Sequence, residues 1–306
     1  MFKPEKITSS TGAILNLYVA RTKREAKGIV QISHGMAEHG ARYERFCTFL
    51  NEHGYHAYVH DQRGHGHTKI ADAPLGAFAR HDGWQKVLED VNFVNAHIRR
   101  QHEGLPVICF GHSMGATIAL AYAQSYPDTI DGLAVWNGSE TGFMPGFLRQ
   151  LLKVERMFKG SDVPSIVAQK LTFEDWNKKF KPNRTDFDWL SHDETEVDKY
   201  VADPLCGFPV TVGLWIDLLD GLAGTAAPEA VAKIPADLPI NLRGGGDDPC
   251  SSMGKAATNL EVILQNSGHT NINAKIYSNT RHECLNEINR DEVMKDFTNW
   301  LYENFG

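Results

Sequence analysis

The sequence has no apolar run long enough to cross a membrane. A membrane-spanning helix needs about 20 apolar residues in succession, and no segment of this 306-residue chain approaches that length. Its first residues, Met-Phe-Lys-Pro-Glu-Lys, also lack the apolar stretch of a secretory signal peptide. We therefore expect a cytoplasmic protein that makes at most transient contact with a membrane surface.

Paired cysteines and an excess of positive charge are missing as well. The five cysteines are odd in number and widely spaced, and none belongs to a Cys-X-X-Cys motif, so free thiols in a reducing compartment are predicted. The net charge is −7, which argues against a nucleic-acid partner. The one basic cluster, residues 21–27, lies between two apolar runs, and we interpret it as a solvated hairpin turn.

What the chain does contain is a regular alternation of strand-like and helix-like segments. The predicted strands cover residues 14–20, 28–34, 55–61, 106–111, 132–137, 239–242 and 274–277. The predicted helices cover residues 84–98, 114–125, 253–265 and 291–303. Strands that alternate with helices of this length are typical of βαβ units and of a mostly parallel sheet, so we predict an α/β fold.

A segment of different character interrupts this alternation. From Glu140 to about Pro235 the sequence predicts helices and irregular segments rich in Phe, Trp and Leu. We therefore predict a first core segment over 1–139, a helical cap over 140–235 and a second core segment over 236–306. The apolar stripe of the cap either lines a ligand pocket or forms the core between the cap helices, and spacing alone does not separate the two. Its members are Phe143, Phe147, Leu148, Leu151, Leu152, Trp176, Trp189, Trp215, Leu218 and Leu219.

The segment Gly111–Gly115 reads Gly-His-Ser-Met-Gly and matches the pattern Gly-X-Ser-X-Gly. It follows a predicted strand and opens a predicted helix, which is the setting that this motif requires. In that setting the serine sits in a sharp turn that projects its hydroxyl above the sheet, and the small flanking residues let the backbones pass. The free amides and the positive dipole of the helix end lie behind it. Ser113 is therefore the predicted nucleophile.

A neutral serine hydroxyl is a poor nucleophile and needs an adjacent base. In the fold that carries this motif the chain order is serine, then aspartate or glutamate, then histidine, with the acid and the base on loops after late strands. His282 follows the strand at 274–277 by a short loop and is the predicted base. The acid should follow the strand at 239–242, where Asp247 and Asp248 are both candidates. We favour Asp248 and interpret the other aspartate as a turn cap.

Acyl transfer builds negative charge on a carbonyl oxygen, and backbone amides that point at this oxygen stabilise it. One donor should be the amide of Met114, the residue after the nucleophile, and the second should come from the loop after an early strand. The segment His34–Gly40 follows the strand at 28–34, and a turn at Gly35 would direct the amide of Met36 into the site. The alternative is a plain turn between a strand and a helix.

Four segments together resemble the monoacylglycerol lipase and lysophospholipase branch of the α/β-hydrolase family. They are HGMAEHGARYERF (34–46), DQRGHGHT (61–68), GHSMG (111–115) and RHECLNEINRDEV (281–293). The resemblance implies an α/β-hydrolase core, with a mostly parallel central sheet flanked by helices, and an inserted helical cap. It also implies a triad of Ser113, Asp248 and His282, an oxyanion hole at the amides of Met36 and Met114, and ester hydrolysis without a cofactor.

We therefore expect a serine carboxylic ester hydrolase that acts through an acyl-enzyme on a small-molecule ester or lipid. The resemblance indicates monoacylglycerols or lysophospholipids as substrates. An amidase, a peptidase or a thioesterase with the same triad is an alternative, because a fold does not determine the substrate. A binding protein without catalysis is a further alternative, which a missing triad member would indicate.

Two groups of reactive side chains are given no chemical role. His60, His65 and His67 lack the spacing of zinc ligands, so no metal is expected. Cys250 and Cys284 flank the predicted acid and base. We interpret them as packing residues, because a serine already occupies the position of the nucleophile.

Overall fold

An eight-stranded sheet forms the centre of the computed structural model, which describes residues 2–139 and 143–306. The strand order is β1-β2-β4-β3-β5-β6-β7-β8. Strands β4, β3, β5, β6, β7 and β8 run parallel to one another, whereas β2 pairs in antiparallel fashion with both β1 and β4. The strand bounds are β1 Lys3–Thr8, β2 Ile14–Ala20, β3 Gly28–Ser33, β4 Tyr55–His60, β5 Val107–His112, β6 Gly132–Trp136, β7 Ile240–Gly245 and β8 Ile272–Tyr277.

Helices cover both faces of this sheet. The helices that follow strands in the first part are α1 Glu44–Glu52, α2 Gly83–Gln101 and α3 Met114–Ser125, and those of the last part are α10 Lys255–Asn266 and α11 Arg290–Phe305. Alternate residues of a strand point to opposite faces. In β5, Phe110 packs with Phe46 of α1 and Phe297 of α11, whereas Cys109 belongs to the core on the face of α2 and α3. The predicted mostly parallel sheet flanked by helices is confirmed.

The described residues between β6 and β7 form a layer of helices. They are α4 Phe143–Lys159, α5 Ile166–Leu171, α6 Phe173–Lys178, α7 Glu194–Ala202, α8 Val212–Thr225 and α9 Pro228–Val231. We call residues 143–235 the cap segment. The predicted start of the cap at residue 140 lies outside the described residues, and the division into core and cap stays a prediction. No helix in the described ranges combines the length and the apolar character that crossing a bilayer needs.

One local prediction is wrong, and one strand was not predicted. The basic residues 21–27 do not form a hairpin, because β4 lies between β2 and β3 in the sheet. They form instead a connection from β2 to β3 that passes over β4, the strand that lies between these two. The strand β1 was not predicted from the sequence, since its segment KPEKIT is almost wholly exposed at the sheet edge and shows no apolar alternation.

A buried ion pair fastens the turn after β4 to α2. The Nε of Arg63 donates to Oδ2 of Asp90 at 2.7 Å, and both side chains are 1% exposed. The hydroxyls of Ser9 and Thr11 donate to Oδ1 of Asp90, each at 2.6 Å. This carboxylate therefore neutralises a buried guanidinium and joins three separate segments of the chain.

We predict that Asp90→Ala lowers the free energy of unfolding by about 3–5 kcal/mol, because it removes the hydrogen-bonded counter-charge of the buried Arg63 guanidinium. The remaining carboxylate, that of Asp72, is half-exposed and 4.0 Å away. Urea unfolding followed by circular dichroism would measure the loss. Glu89→Ala, on the same helix, is the control and should change stability by no more than about 0.5 kcal/mol. Equal effects of the two substitutions would contradict this account.

Candidate active site

Ser113 lies in the turn between the end of β5 and the start of α3. Its backbone has φ 57° and ψ −119°, a conformation that residues other than glycine rarely adopt and that neighbouring structure must enforce. A Cβ at Gly111 would lie 2.0 Å from the carbonyl oxygen of Gly115, and a Cβ at Gly115 would lie 2.0 Å from that of Ser33. Only glycine fits at these two positions, so the close backbone packing requires the sequence pattern around Ser113.

The structure brings the predicted nucleophile, base and acid into one hydrogen-bonded row. The Nε2 of His282 lies 2.8 Å from Oγ of Ser113, and Nδ1 of His282 lies 3.0 Å from Oδ2 of Asp248. Asp248 is fully buried and His282 nearly so. The ring nitrogen beside Asp248 donates to the carboxylate, which leaves Nε2 free to accept the proton of the serine hydroxyl.

Asp248 follows β7, and neighbouring groups hold its carboxylate in place. The backbone N–H of Cys250 donates to Oδ1 at 3.0 Å, and the side-chain amide of Asn137 donates to Oδ2 at 3.2 Å. Asp247 lies elsewhere, with its half-exposed carboxylate 3.7 Å from Nε2 of His192. Of the two aspartates that the sequence offered, only Asp248 is in contact with His282.

The charges of this row support each other. Burial alone lowers the pKa of His282, but the charge of Asp248 and its hydrogen bond outweigh burial, so the pKa is raised above its ordinary value. Burial alone raises the pKa of Asp248, and the imidazole of His282 outweighs it, so the carboxyl stays ionised. Burial lowers the pKa of the adjacent His112 to about 4. His112 is therefore neutral near pH 7 and does not repel a protonated His282.

The two residues predicted to supply the amides of the oxyanion hole belong to the loop after β3 and to the first turn of α3. Met36 and Met114 both line the cavity that contains the serine. A Cβ placed on Gly35 would lie 3.3 Å from Cβ of Ser113, so the loop that carries Met36 runs directly beside the serine. Among the described residues, neither amide donates to a backbone or side-chain acceptor. Both N–H groups are therefore free to donate to a developing oxyanion.

The serine opens into a cavity of about 440 Å³ between the sheet and the cap segment. Much of the predicted apolar stripe forms its wall, namely Phe147, Leu148, Trp176, Trp189, Trp215, Leu218 and Leu219. Leu152, by contrast, is fully buried in the helix core, and the side chain of Phe143 lies outside the described set. The two interpretations of the stripe therefore hold for different members of it.

Two further features of the site were not predicted from the sequence, namely the bonds of Asn137 and the contact of Trp189 with His282. Asn137 lies directly after β6 with φ 50° and joins Asp248 to Cys284, whose thiol donates to the Asn137 side-chain oxygen at 3.1 Å. Its position at the end of a strand in the middle of the sheet was the available signal. The ring of Trp189 lies 4.8 Å from that of His282, a contact that nothing in the local sequence indicates.

The cysteines and the metal-ligating side chains do not take over this chemistry. All five cysteines are buried and free, and burial raises the pKa of the thiols of Cys250 and Cys284, which keeps them protonated. Within the described residues, His39, Asp203 and Cys206 form the one group that could hold a metal ion. In this group His39 bonds to Asp203 at 2.8 Å, and the amide of Leu205 donates to the same carboxylate.

The sheet order and the serine turn are those of a serine hydrolase with the α/β-hydrolase fold. The chain belongs to the family described as "Serine aminopeptidase, S33", whose model matches residues 24–289.

Relatives within this group are named as ester hydrolases. The chain is 26% identical to the monoacylglycerol lipase of Mycolicibacterium smegmatis over 277 residues, which cover 90% of this chain and 89% of the relative. It is 27% identical to the monoglyceride lipase of Homo sapiens over 278 residues, which cover 90% and 82%. The solved structure of a thermostable carboxyl esterase from Bacillus coagulans, in complex with glycerol, superposes with a TM-score of 0.91, 25% identity and coverage of 100% and 99%.

These similarities confirm the resemblance to monoacylglycerol lipases that four segments of the sequence carry. The protein is a carboxylic ester hydrolase with an α/β-hydrolase fold.

We predict that Asp248→Asn lowers kcat by about 10⁴-fold, because an amide favours the wrong tautomer of His282. Asp247→Asn is the matched control on the neighbouring residue, and it should leave kcat within about twofold, as expected for a surface change. Steady-state kinetics with a soluble aryl ester would measure both. A large loss in the Asp247 variant, with Asp248→Asn active, would reverse the assignment of the acid.

Proposed function

We propose that the protein hydrolyses monoacylglycerols or closely related single-chain lipid esters through an acyl-enzyme at Ser113. The observation that carries this proposal is the 2.8 Å contact between Oγ of Ser113 and Nε2 of His282 at the floor of an apolar cavity. A base within hydrogen-bond reach of the hydroxyl is the arrangement that activates a serine.

The reaction proceeds in two halves. Oγ of Ser113 attacks the ester carbonyl carbon while its proton passes to Nε2 of His282, which Asp248 orients and stabilises as the imidazolium. The tetrahedral intermediate collapses, the alkoxide takes the proton from Nε2, and the alcohol leaves with the acyl group still on Oγ. Water then gives a proton to Nε2, attacks the acyl carbonyl and releases the acid, and the proton returns to Oγ.

The amides of Met36 and Met114 are proposed to stabilise both tetrahedral intermediates. Their N–H groups are fixed by the backbone and need no reorganisation when negative charge develops on the carbonyl oxygen. Such a donor is typically worth about 3 kcal/mol of transition-state stabilisation.

The cavity favours a substrate with one acyl chain. Its volume lies within the range of small-ligand pockets, and Trp and Leu side chains of the cap segment dominate its wall. We propose that residues 140–235 act as the cap that binds this chain and keeps water from it, since burial of methylene groups there is favourable by about 0.8 kcal/mol each.

The polar end of the cavity favours an uncharged leaving group. The buried carboxylates of Glu38 and Glu283 both line the cavity near Ser113, and Arg42 supplies one positive charge between them. The net negative charge disfavours the phosphate of a lysophospholipid more than the hydroxyls of glycerol. Monoacylglycerols are therefore the preferred member of the two classes.

A peptidase that releases amino-terminal residues is the second candidate. The family description names aminopeptidases, and an α-ammonium group would be attracted to the same two carboxylates. Both carboxylates, however, already accept hydrogen bonds from Arg42, which leaves less capacity for a second cation.

We predict that the purified protein hydrolyses monoacylglycerols faster than lysophospholipids of the same chain length, and aminoacyl anilides least of all. Release of fatty acid, or of the aniline, would be measured at matched concentrations. Ser113→Ala should remove both turnover and labelling by a fluorophosphonate probe, whereas Ser252→Ala, at another serine lining the cavity, should keep both. Preferred turnover of anilides would support the aminopeptidase, and full activity of the Ser113 variant would contradict the mechanism.

The cap segment also offers a face for contact with a lipid surface, which we propose to be transient. Helix α4 exposes Met157 and Phe158 by 82% and 83%, and it carries four basic side chains against one acidic one. Apolar and basic groups on one surface helix favour anionic interfaces. The same helix contributes Met144 and Leu148 to the cavity wall, so a bilayer at this face would lie beside the proposed acyl site.

We predict that the double variant Met157→Ser/Phe158→Ser binds vesicles of phosphatidylcholine and phosphatidylserine at least about 10-fold more weakly, because two apolar side chains no longer enter the interface. Co-sedimentation would measure binding, and turnover of a short soluble ester should not change. Ile288→Ser, at a side chain 72% exposed elsewhere on the surface, is the control. Equal binding by all three proteins would rule out this face.

A further inference from the structure

We propose that Arg42 is a positioning residue, a role that rests on the proposed function. It holds the loop that carries Met36, which we call the oxyanion loop, in a fixed position relative to the loop that carries His282, which we call the base loop. Arg42 lies in a short 3-10 helix, Gly40–Tyr43, that follows this first loop. Its guanidinium bonds to one carboxylate from each loop, Glu38 and Glu283.

The first carboxylate controls the backbone beside the serine. Oε1 of Glu38 accepts the amide of Gly35 at 2.5 Å and the hydroxyl of Tyr43 at 2.9 Å, and its Oε2 accepts Nη1 of Arg42 at 2.5 Å. The Gly35 amide is thereby used within the loop, while the next amide, that of Met36, remains without a partner. Glu38 therefore sets the turn on which the oxyanion hole depends.

The second carboxylate belongs to the residue after the base. Nη1 and Nη2 of Arg42 donate to Oε1 and Oε2 of Glu283 at 2.6 and 2.7 Å, a two-pronged pairing across 241 residues of sequence. Such a fork fixes orientation as well as distance. Since Glu283 adjoins His282, movement of the base relative to the oxyanion loop would have to break this pair.

The cap segment reaches the same guanidinium. Arg42 lies 4.8 Å from the ring centre of Tyr200 in α7, and the Tyr200 hydroxyl donates to the carbonyl oxygen of Ala37 at 2.9 Å. The amide of Gly207 donates to the same oxygen at 2.9 Å. Arg42 therefore stands where the oxyanion loop, the base loop and the cap segment meet.

Because the three charged side chains are buried, this arrangement requires an arginine at position 42. The side chains of Arg42, Glu38 and Glu283 are 11%, 5% and 6% exposed. Burial alone would lower the pKa of Arg42, but the two carboxylates outweigh it and hold the pKa well above its ordinary value. A lysine would keep the charge yet supply a point donor without the planar fork, so it could not orient both carboxylates at once.

The charges of Glu38 and Glu283 also affect the pKa of His282. Three carboxylates raise the pKa of His282, namely those of Asp248, Glu283 and Glu38. The ring of His112, which is neutral near pH 7, lies 4.9 Å from the ring of His282. Glu283 is among the groups that raise the pKa of His282. Its removal should lower that pKa, whereas an arginine-to-lysine change keeps the local charge. The two substitutions therefore separate an effect on charge from an effect on geometry.

The test compares Arg42→Lys with Arg45→Lys. Arg45 bonds to Glu196 and Asn286 and so also bridges to the base loop, but neither of these bonds involves the oxyanion loop. We expect Arg42→Lys to lower kcat by about 100-fold, the typical cost of a misplacement of about 1 Å, with KM within about twofold. Affinity for a trifluoromethyl ketone, whose adduct places an oxyanion in the hole, should fall in parallel. Arg45→Lys should change neither quantity by more than about twofold.

Glu283→Gln is a second variant that tests the same role, and it keeps the test decisive if Arg42→Lys fails to fold. It should lower the plateau value of kcat by about 10-fold and move the acid limb of the kcat/KM profile to lower pH. The positioning role would be overturned if Arg42→Lys left kcat and the affinity for the ketone unchanged. If that variant does not fold, an unchanged kcat and pH profile in Glu283→Gln would overturn it. Absence of esterase activity and of probe labelling in the unaltered protein would instead refute the proposed function.

Discussion

The constraint on which the structure depends is the strained backbone turn at Ser113. A residue with φ 57° is held there because the chains on both sides pass too closely for any side chain at Gly111 or Gly115. The turn places the serine hydroxyl at the carboxyl edge of the parallel strands, where the loops after β3, β6, β7 and β8 converge. These loops bring His282, Asp248, Asn137 and the segment around Met36 close to Ser113. The sheet fixes where each loop begins, and the turn at Ser113 fixes the point at which they meet.

The residues that the sequence could indicate are those whose signal is local. The small residues of Gly111–Gly115, together with the strand before them and the helix after them, predict the sharp turn at Ser113. His282 was predicted from its place in the chain order, after a predicted strand. For the acid, the sequence offered the adjacent Asp247 and Asp248, and we favoured Asp248. The direction of each side chain at the turn, which separates the two, is visible only in the structure. Their catalytic roles are predictions that the observed geometry supports.

The parts that the sequence did not indicate depend on contacts between distant segments. Asn137 meets Asp248 across 111 residues and Arg42 meets Glu283 across 241, and no periodicity or spacing reports such pairings. Strand β1 escaped prediction for a different reason, since a polar edge strand shows no buried face. The loop at 21–27 was misjudged because strand order is a global property, and neighbours in sequence need not be neighbours in the sheet.

The site combines an apolar wall from the cap segment with a compact group of buried charges behind the serine. We propose that the wall binds an acyl chain and that the charge group keeps the oxyanion loop and the base loop together. Binding and catalysis would then draw on different parts of one cavity. The most direct test of this account is peptide mapping of the acyl-enzyme, quenched in acid during the burst with a p-nitrophenyl ester. The account predicts that the acyl mass is found on the peptide containing Ser113. An acyl group on another residue, such as Cys250, or no covalent intermediate under burst conditions, would contradict it.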